Sequence, residues 1–241
     1  MCVNLLVQSD NNLNELIKIS VRDMKTLFTF LVSPHKVFES LSSKSRWFVP
    51  FSVVVVGMVI LTWLTSCWKN QSVYFQMDAV LITLISFTLI LFLSWSFISV
   101  FLYLAASLIE ANSIIVYKRI FSVVSFCGII FLVGEVINFL LIFTKAFNDS
   151  LFVLHNRFPM GLDILAVGKS PHPALAILLY SINPFTVWYF TVLSIGFSTI
   201  TGLTKIKARI FSFLVWLFIV GFIISLLLIT GGTRINIKVG A

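Results

Sequence analysis

Apolar positions follow two patterns along this chain, first a stripe and then long unbroken runs. Leu13, Leu16, Ile17, Ser20, Met24, Leu27, Phe28 and Leu31 recur at helical spacing, with Lys18, Arg22 and Lys25 on the opposing faces. Such a helix lies in a membrane surface with its apolar side down and its cations up. The same stripe suits a helix packed on the protein's own bundle, and the two placements are compatible. Ser33-Pro34 then ends this helix and starts another, with Ser33 as N-cap and Pro34 at the first helical position. Val37, Phe38 and Leu41 give the second helix a short apolar edge. Lys18, Arg22, Lys25 and Lys36 are the expected contacts with lipid headgroups.

Five apolar runs follow, each reaching the roughly 20 residues that a bilayer crossing takes. They cover Trp47 to Trp68, Ala79 to Ile109, Ile120 to Thr144, Pro184 to Leu203 and Ala208 to Thr230, the last closed by Gly231-Gly232. The second run is longer than a bilayer requires, so it tilts or projects into water. Barrel strands alternate apolar and polar residues, and these runs do not. The predicted architecture is an all-α membrane protein with five transmembrane helices and amphipathic N-terminal interfacial helices. Residues 1–46 form a cytoplasmic segment, 47–230 the five-helix domain and 231–241 a short outer tail. The long 145–174 connection holds Pro159, Pro171 and Pro173 and is expected on the outer face. A separate short helix is expected over 175–182, before Asn183-Pro184.

Composition supports the membrane reading. The chain is 59% hydrophobic and 11% charged, whereas a soluble domain carries roughly a quarter of its residues charged. A net charge of +8 raises nucleic acid as a partner. The cations flank the apolar runs, however, where they meet headgroups and set orientation, so nucleic acid is not expected. Eleven of the seventeen Lys and Arg lie in the N-terminal segment and in the 110–119 and 204–209 turns. Positive charge stays cytoplasmic, which puts the N-terminus inside and the C-terminus outside. Cys2, Cys67 and Cys127 show no metal-ligand spacing.

One carboxylate stands within the spans. Glu135 lies in "GEVINFLL", with Asn138 one turn on along the same face. An ionisable group at bilayer depth costs roughly 2.5–3.5 kcal/mol to insert and is a functional candidate by default. Glu135 serves either a relay in a small transporter or lipid-moving protein, or a polar contact between helices. A relay needs further titratable groups at depth, and the other spans supply none, so a polar contact is the preferred role. Asn183-Pro184 reads as a capped helix start; a transporter break would have a counterpart in a second half. Gly128, Gly134, Gly196 and Gly221 permit close helix approach. His155 and His172 share the long loop without a Cys or acid cluster to complete a metal site. Phosphate-cradling Gly loops, paired-His helices and Ser elbows are absent from the sequence. No catalytic residue, metal or cofactor is therefore assigned, and an enzyme is not expected.

Two stretches carry a family resemblance. "SPHKVFESLSSKSRWFVPF" (33–51) resembles the approach to the first span in Yip1-domain membrane proteins. "INPFTVWYFTVLSIGFSTITGLTKIKA" (182–208) resembles that family's fourth span, with Asn183, Pro184, Phe185, Trp188 and Gly196 ahead of a basic turn at Lys205. The resemblance implies five helices and a cytoplasmic N-terminus. Eukaryotic members have a longer N-terminal region, and "GY" and "GP" elements that are not evident here. This chain is similar to the shorter bacterial branch, and the binding of prenylated Rab-type GTPases does not carry over. The resemblance implies a bacterial cytoplasmic (inner) membrane and a scaffold or accessory role. The implied partners are lipids, other membrane proteins such as ABC exporter components, and further copies of the chain. Reporter fusions at the two termini are expected to signal from opposite compartments; signals from one compartment would contradict an odd number of crossings.

Overall fold

Without water to bond to, backbone groups in lipid must pair within their own segment, so long apolar runs become helices. In a computed structural model that describes residues 25–41, 46–69, 77–109, 117–143, 162, 175, 178–179 and 181–229, each predicted run does so. The helices are α1 (Pro34–Leu41), α2 (Phe48–Lys69), α3 (Met77–Leu108), α4 (Tyr117–Phe143), α5 (Pro184–Thr201) and α6 (Lys205–Ile229). Residues 25–32, just before α1, are also helical, and among the described residues there is no strand.

Among the described residues four helices, α2, α3, α4 and α6, are long and apolar enough to cross a membrane. The other expected span, α5, is not among them. It has 18 residues, about 27 Å of helix, and Thr186, Thr191, Ser194, Ser198, Thr199 and Thr201 dilute its apolar content. The bundle tolerates this because Phe185, Tyr189, Leu193 and Phe197 are buried against other helices. By contrast α3 has 32 residues, about 48 Å, well beyond a hydrocarbon core of roughly 30 Å. The apolar runs locate the helices better than their ends. Both α4 and α6 start three residues before the predicted span and carry Lys118, Arg119, Lys205 and Lys207 in their opening turns. Apolarity marks the lipid, while the helix continues into the headgroup layer.

The first part of the N-terminal stripe, with Lys18 and Arg22, lies outside the described residues. Of the stripe positions described, Leu27 and Leu31 pack against the core, beside the buried Phe30, while Phe28 is exposed. Val37, Phe38 and Leu41 of α1 are buried too, so both apolar edges face the bundle. Lys25 and Lys36 are exposed. The outer tail and nearly all of the 145–174 connection, with His155 and His172, also lie outside the described residues. Of the predicted 175–182 helix, 175, 178–179 and 181 are described as helical.

Helix α4 is the axis. Its residues from Ile120 to Ile130 are all buried, and α1, α2, α3 and α5 all pack on it. Three glycines set how closely. A Cβ at Gly128 of α4 would run into the ring of Trp95 on α3. One at Gly57 of α2 would come within 2.6 Å of Leu132 Cδ1 on α4, and one at Gly196 of α5 within 2.5 Å of Val123 Cγ1 on α4. Aromatic rings close one end: Trp47 meets Phe121 edge-on at 5.4 Å, and Phe51 meets Trp95 at 5.3 Å. A short turn joins α5 to α6. Gly202 takes φ 72°, which costs glycine little, and its N–H donates to Ser198 O at 2.9 Å. Ser198 Oγ donates to Leu203 O at 2.7 Å.

Gly128→Ala should lower the thermal midpoint in detergent, by the equivalent of about 1–3 kcal/mol for an overpacked site. Gly221→Ala, where an added Cβ meets nothing within 4 Å, should leave it unchanged or raise it through better helix propensity. Equal effects at the two positions would contradict the close-packing account.

Candidate functional site

Glu135 and Asn138 sit in the second half of α4, beyond its fully buried stretch, and both are half-buried. Their spacing brings the side chains together. Asn138 Nδ2 donates to Glu135 Oε2 at 3.5 Å, the long limit of a hydrogen bond. Asn138 Oδ1 is buried and has no partner. The pair thus lies along one helix, so its bond does not itself join α4 to another helix. The unpaired amide oxygen can accept one more donor.

The 182–208 stretch is built by capping and packing. Asn183 is extended (φ −132°, ψ 161°), and its side-chain oxygen accepts from Thr186 N at 2.8 Å. Pro184 follows at the first helical position, where no intrahelical N–H is needed. This is the geometry of a helix start. Phe185 is buried, Trp188 packs against the core, and Gly196 receives the side chains of Val123 and Phe38. Asn183 and Pro184 thus start α5, and Phe185, Trp188 and Gly196 seat it in the bundle. His35 Nδ1 lies 3.3 Å from Glu39 Oε1 one turn along α1, an exposed pair that contributes little to stability. Among the described residues no three metal-ligating side chains converge.

Sequence reasoning passed over several residues that the packing makes prominent. Tyr189 is buried with its ring 4.6 Å from Phe131, and its hydroxyl has no partner. A cleft of about 390 Å³ opens between α5 and α6, with Arg209, Ser212 and Trp216 on its α6 side. Their spacing of three and then four residues was available in the sequence as a polar stripe on an otherwise apolar helix.

Helices of this length and apolarity, wrapped on a buried central one, define an α-helical integral membrane protein. The chain belongs to the Yip1 domain family, whose model matches residues 28–227. Both stretches that carry the resemblance, 33–51 and 182–208, lie inside that match. No curated protein and no solved structure matches the chain.

Asn183→Ala should destabilise the protein by about 1 kcal/mol, with Asn183→Ser recovering most of it; thermal unfolding in detergent reads both. For Glu135 and Asn138, a double-mutant cycle with Gln and Leu should give a coupling of about 0.6 kcal/mol or less. A coupling of several kcal/mol would mean a tighter site than the 3.5 Å contact describes.

Proposed function

We propose that this chain is a non-enzymatic scaffold or accessory subunit in a bacterial cytoplasmic membrane. In this reading it crosses five times, with α5 as the fourth crossing, its N-terminus in the cytosol and its C-terminus outside. Its partners are lipids and other membrane proteins, ABC exporter components among them, and further copies of itself. One observation carries the reading: side chains fill the bundle tightly around α4, while α3 and α6 turn long apolar faces outward. Leu81, Ile85, Leu89, Leu93 and Phe97 on α3 are all exposed. A surface of this kind in lipid can seat the membrane helix of another protein, whereas a solute would need a path through the glycine-set contacts. The basic positions Lys18, Arg22, Lys25 and Lys36 hold the N-terminal segment to anionic headgroups.

Glu135 supports a second reading, a small transporter or lipid-moving protein, because its carboxylate stands beside an unpaired amide oxygen in a span. Two measurements separate the readings. In the scaffold reading, purification of the full chain in mild detergent recovers defined membrane subunits at a fixed molar ratio, and Leu89→Lys with Leu93→Lys disperses them. In the transport reading, the chain purifies alone and Glu135→Gln abolishes flux in proteoliposomes while folding is unchanged. Flux that survives Glu135→Gln would remove the second reading.

A further inference from the structure

The cleft between α5 and α6 has a graded chemistry. On α6, Arg209, Ser212 and Trp216 fall on one stripe, with Ser212 and Trp216 about 4.5 Å and about 10.5 Å further along the axis than Arg209. Arg209 is exposed near the start of the helix, close to the exposed Lys205 and Lys207. Among the described residues it forms no ion pair with a carboxylate. Beyond it Phe213, Phe190, Val187 and Ile182 give apolar walls, broken by four further serines and threonines, among them Thr191 and Ser194, whose hydroxyls bond back to their own helix.

Two polar atoms on this path are unsatisfied. Ser212 is 1% exposed, and neither its Oγ nor Trp216 Nε1 has a hydrogen-bond partner. Other buried serines of the spans behave differently. Ser99 donates to Trp95 O at 2.6 Å, Ser122 to Lys118 O at 2.8 Å and Ser125 to Phe121 O at 2.8 Å. These hydroxyls fold back on their own helix, the usual solution where no water is at hand. Ser212 lines the cleft instead with its hydroxyl unspent, and the indole N–H beside it is a pure donor. A bound molecule that supplies acceptors here would satisfy both.

We propose that this cleft binds one anionic phospholipid. A phospholipid presents a phosphate, then ester carbonyls, then an acyl chain, in that order. The cleft presents a guanidinium at one end, then Ser212 and Phe213 at nearly one depth, then Trp216, with Phe190, Val187 and Ile182 on the facing wall. Arg209 pairs with the phosphate, where its planar donors suit two oxygens at once. Ser212 Oγ and Trp216 Nε1 donate to the ester carbonyls. The acyl chain lies along Phe213, Phe190 and Val187. A zwitterionic headgroup carries its own cation beside the phosphate, so the charge of Arg209 favours an anionic headgroup over it. This site is separate from the N-terminal cations and does not depend on the accessory role.

The test is native mass spectrometry of the delipidated full chain in detergent, titrated with dioleoyl phosphatidylglycerol or dioleoyl phosphatidylcholine. One phosphatidylglycerol should bind, about fivefold more tightly than phosphatidylcholine, as expected for one desolvating cation near the surface. Arg209→Gln, at an exposed position that leaves the fold intact, should abolish that preference. Val187→Trp, which fills the trough, should abolish retention of both lipids, while Leu217→Trp on the exposed side of α6 should retain them. Equal retention of the two lipids by the unmodified chain overturns the proposal. So does a preference that survives Arg209→Gln, which keeps the test decisive even if Val187→Trp misfolds. If Val187→Trp folds and releases a co-purifying membrane protein without changing lipid retention, the cleft seats a helix and the proposal is wrong.

Discussion

Lipid tails are as apolar as leucine, so helices in a bilayer gain nothing by hiding apolar surface from it. They associate through close contact and through the few polar bonds available. In this bundle, close contact is arranged at Gly57, Gly128 and Gly196, and every one of these glycines lies in a contact that involves α4. Gly128 admits the indole of Trp95, so α3 docks by a large side chain entering a hollow. Gly196 does the same for Val123 and for Phe38, and so ties α5 and the short helix α1 to α4 at one point. The family match, which covers 28–227, takes in all of these positions and residues 28–32 of the helical turns just before α1.

Polar groups inside the bundle divide into two sets. Most hydroxyls donate to a carbonyl one turn back, which hides them without joining helices: Ser99, Ser122, Ser125 and Thr201 all do so. A smaller set keeps an open valence, namely Asn138 Oδ1, Tyr189 Oη, Ser212 Oγ and Trp216 Nε1. A buried polar atom without a partner costs about 1–3 kcal/mol, so such atoms are informative about what else the protein holds. Two of the four share one cleft. Among the described residues the outer faces of α3 and α6 carry no comparable polar pattern, so a helix seated there would be held by close contact alone.

Sequence periodicity found every long helix, because a run of twenty apolar residues has few other solutions in lipid. It also found the capped start at Asn183-Pro184, where cap and proline chemistry is local and needs no knowledge of neighbours. It did not distinguish α5 from the other runs. Six serines and threonines within eighteen residues are visible in the sequence, but their meaning depends on whether lipid or protein surrounds the helix. The N-terminal helices were similarly ambiguous: Leu27, Phe30, Leu31, Val37, Phe38 and Leu41 turn toward the bundle while Phe28 stays exposed, a choice that amphipathicity cannot make. Gly128 and Gly196 were legible as points of close approach, but Gly57 was passed over, and Gly221 meets nothing within 4 Å of an added Cβ. The partners Trp95, Leu132 and Val123 were not legible, since a notch carries no address. Arg209, Ser212 and Trp216 were hidden for a simpler reason. One lies in a basic turn and the others pass as ordinary span residues until α5 is placed opposite them.

The tight link at 202–204 bears on biogenesis. With Gly202 reversing the chain and Ser198 bonded across to Leu203, α5 and α6 are held as a hairpin whose arms cannot separate far. Hydroxyl-rich α5 is the less apolar arm, whereas α6 is long and apolar enough to cross a membrane. A bilayer that takes up α6 therefore draws α5 along with it. Lengthening this link with flexible residues would strain assembly long before it disturbed the finished protein.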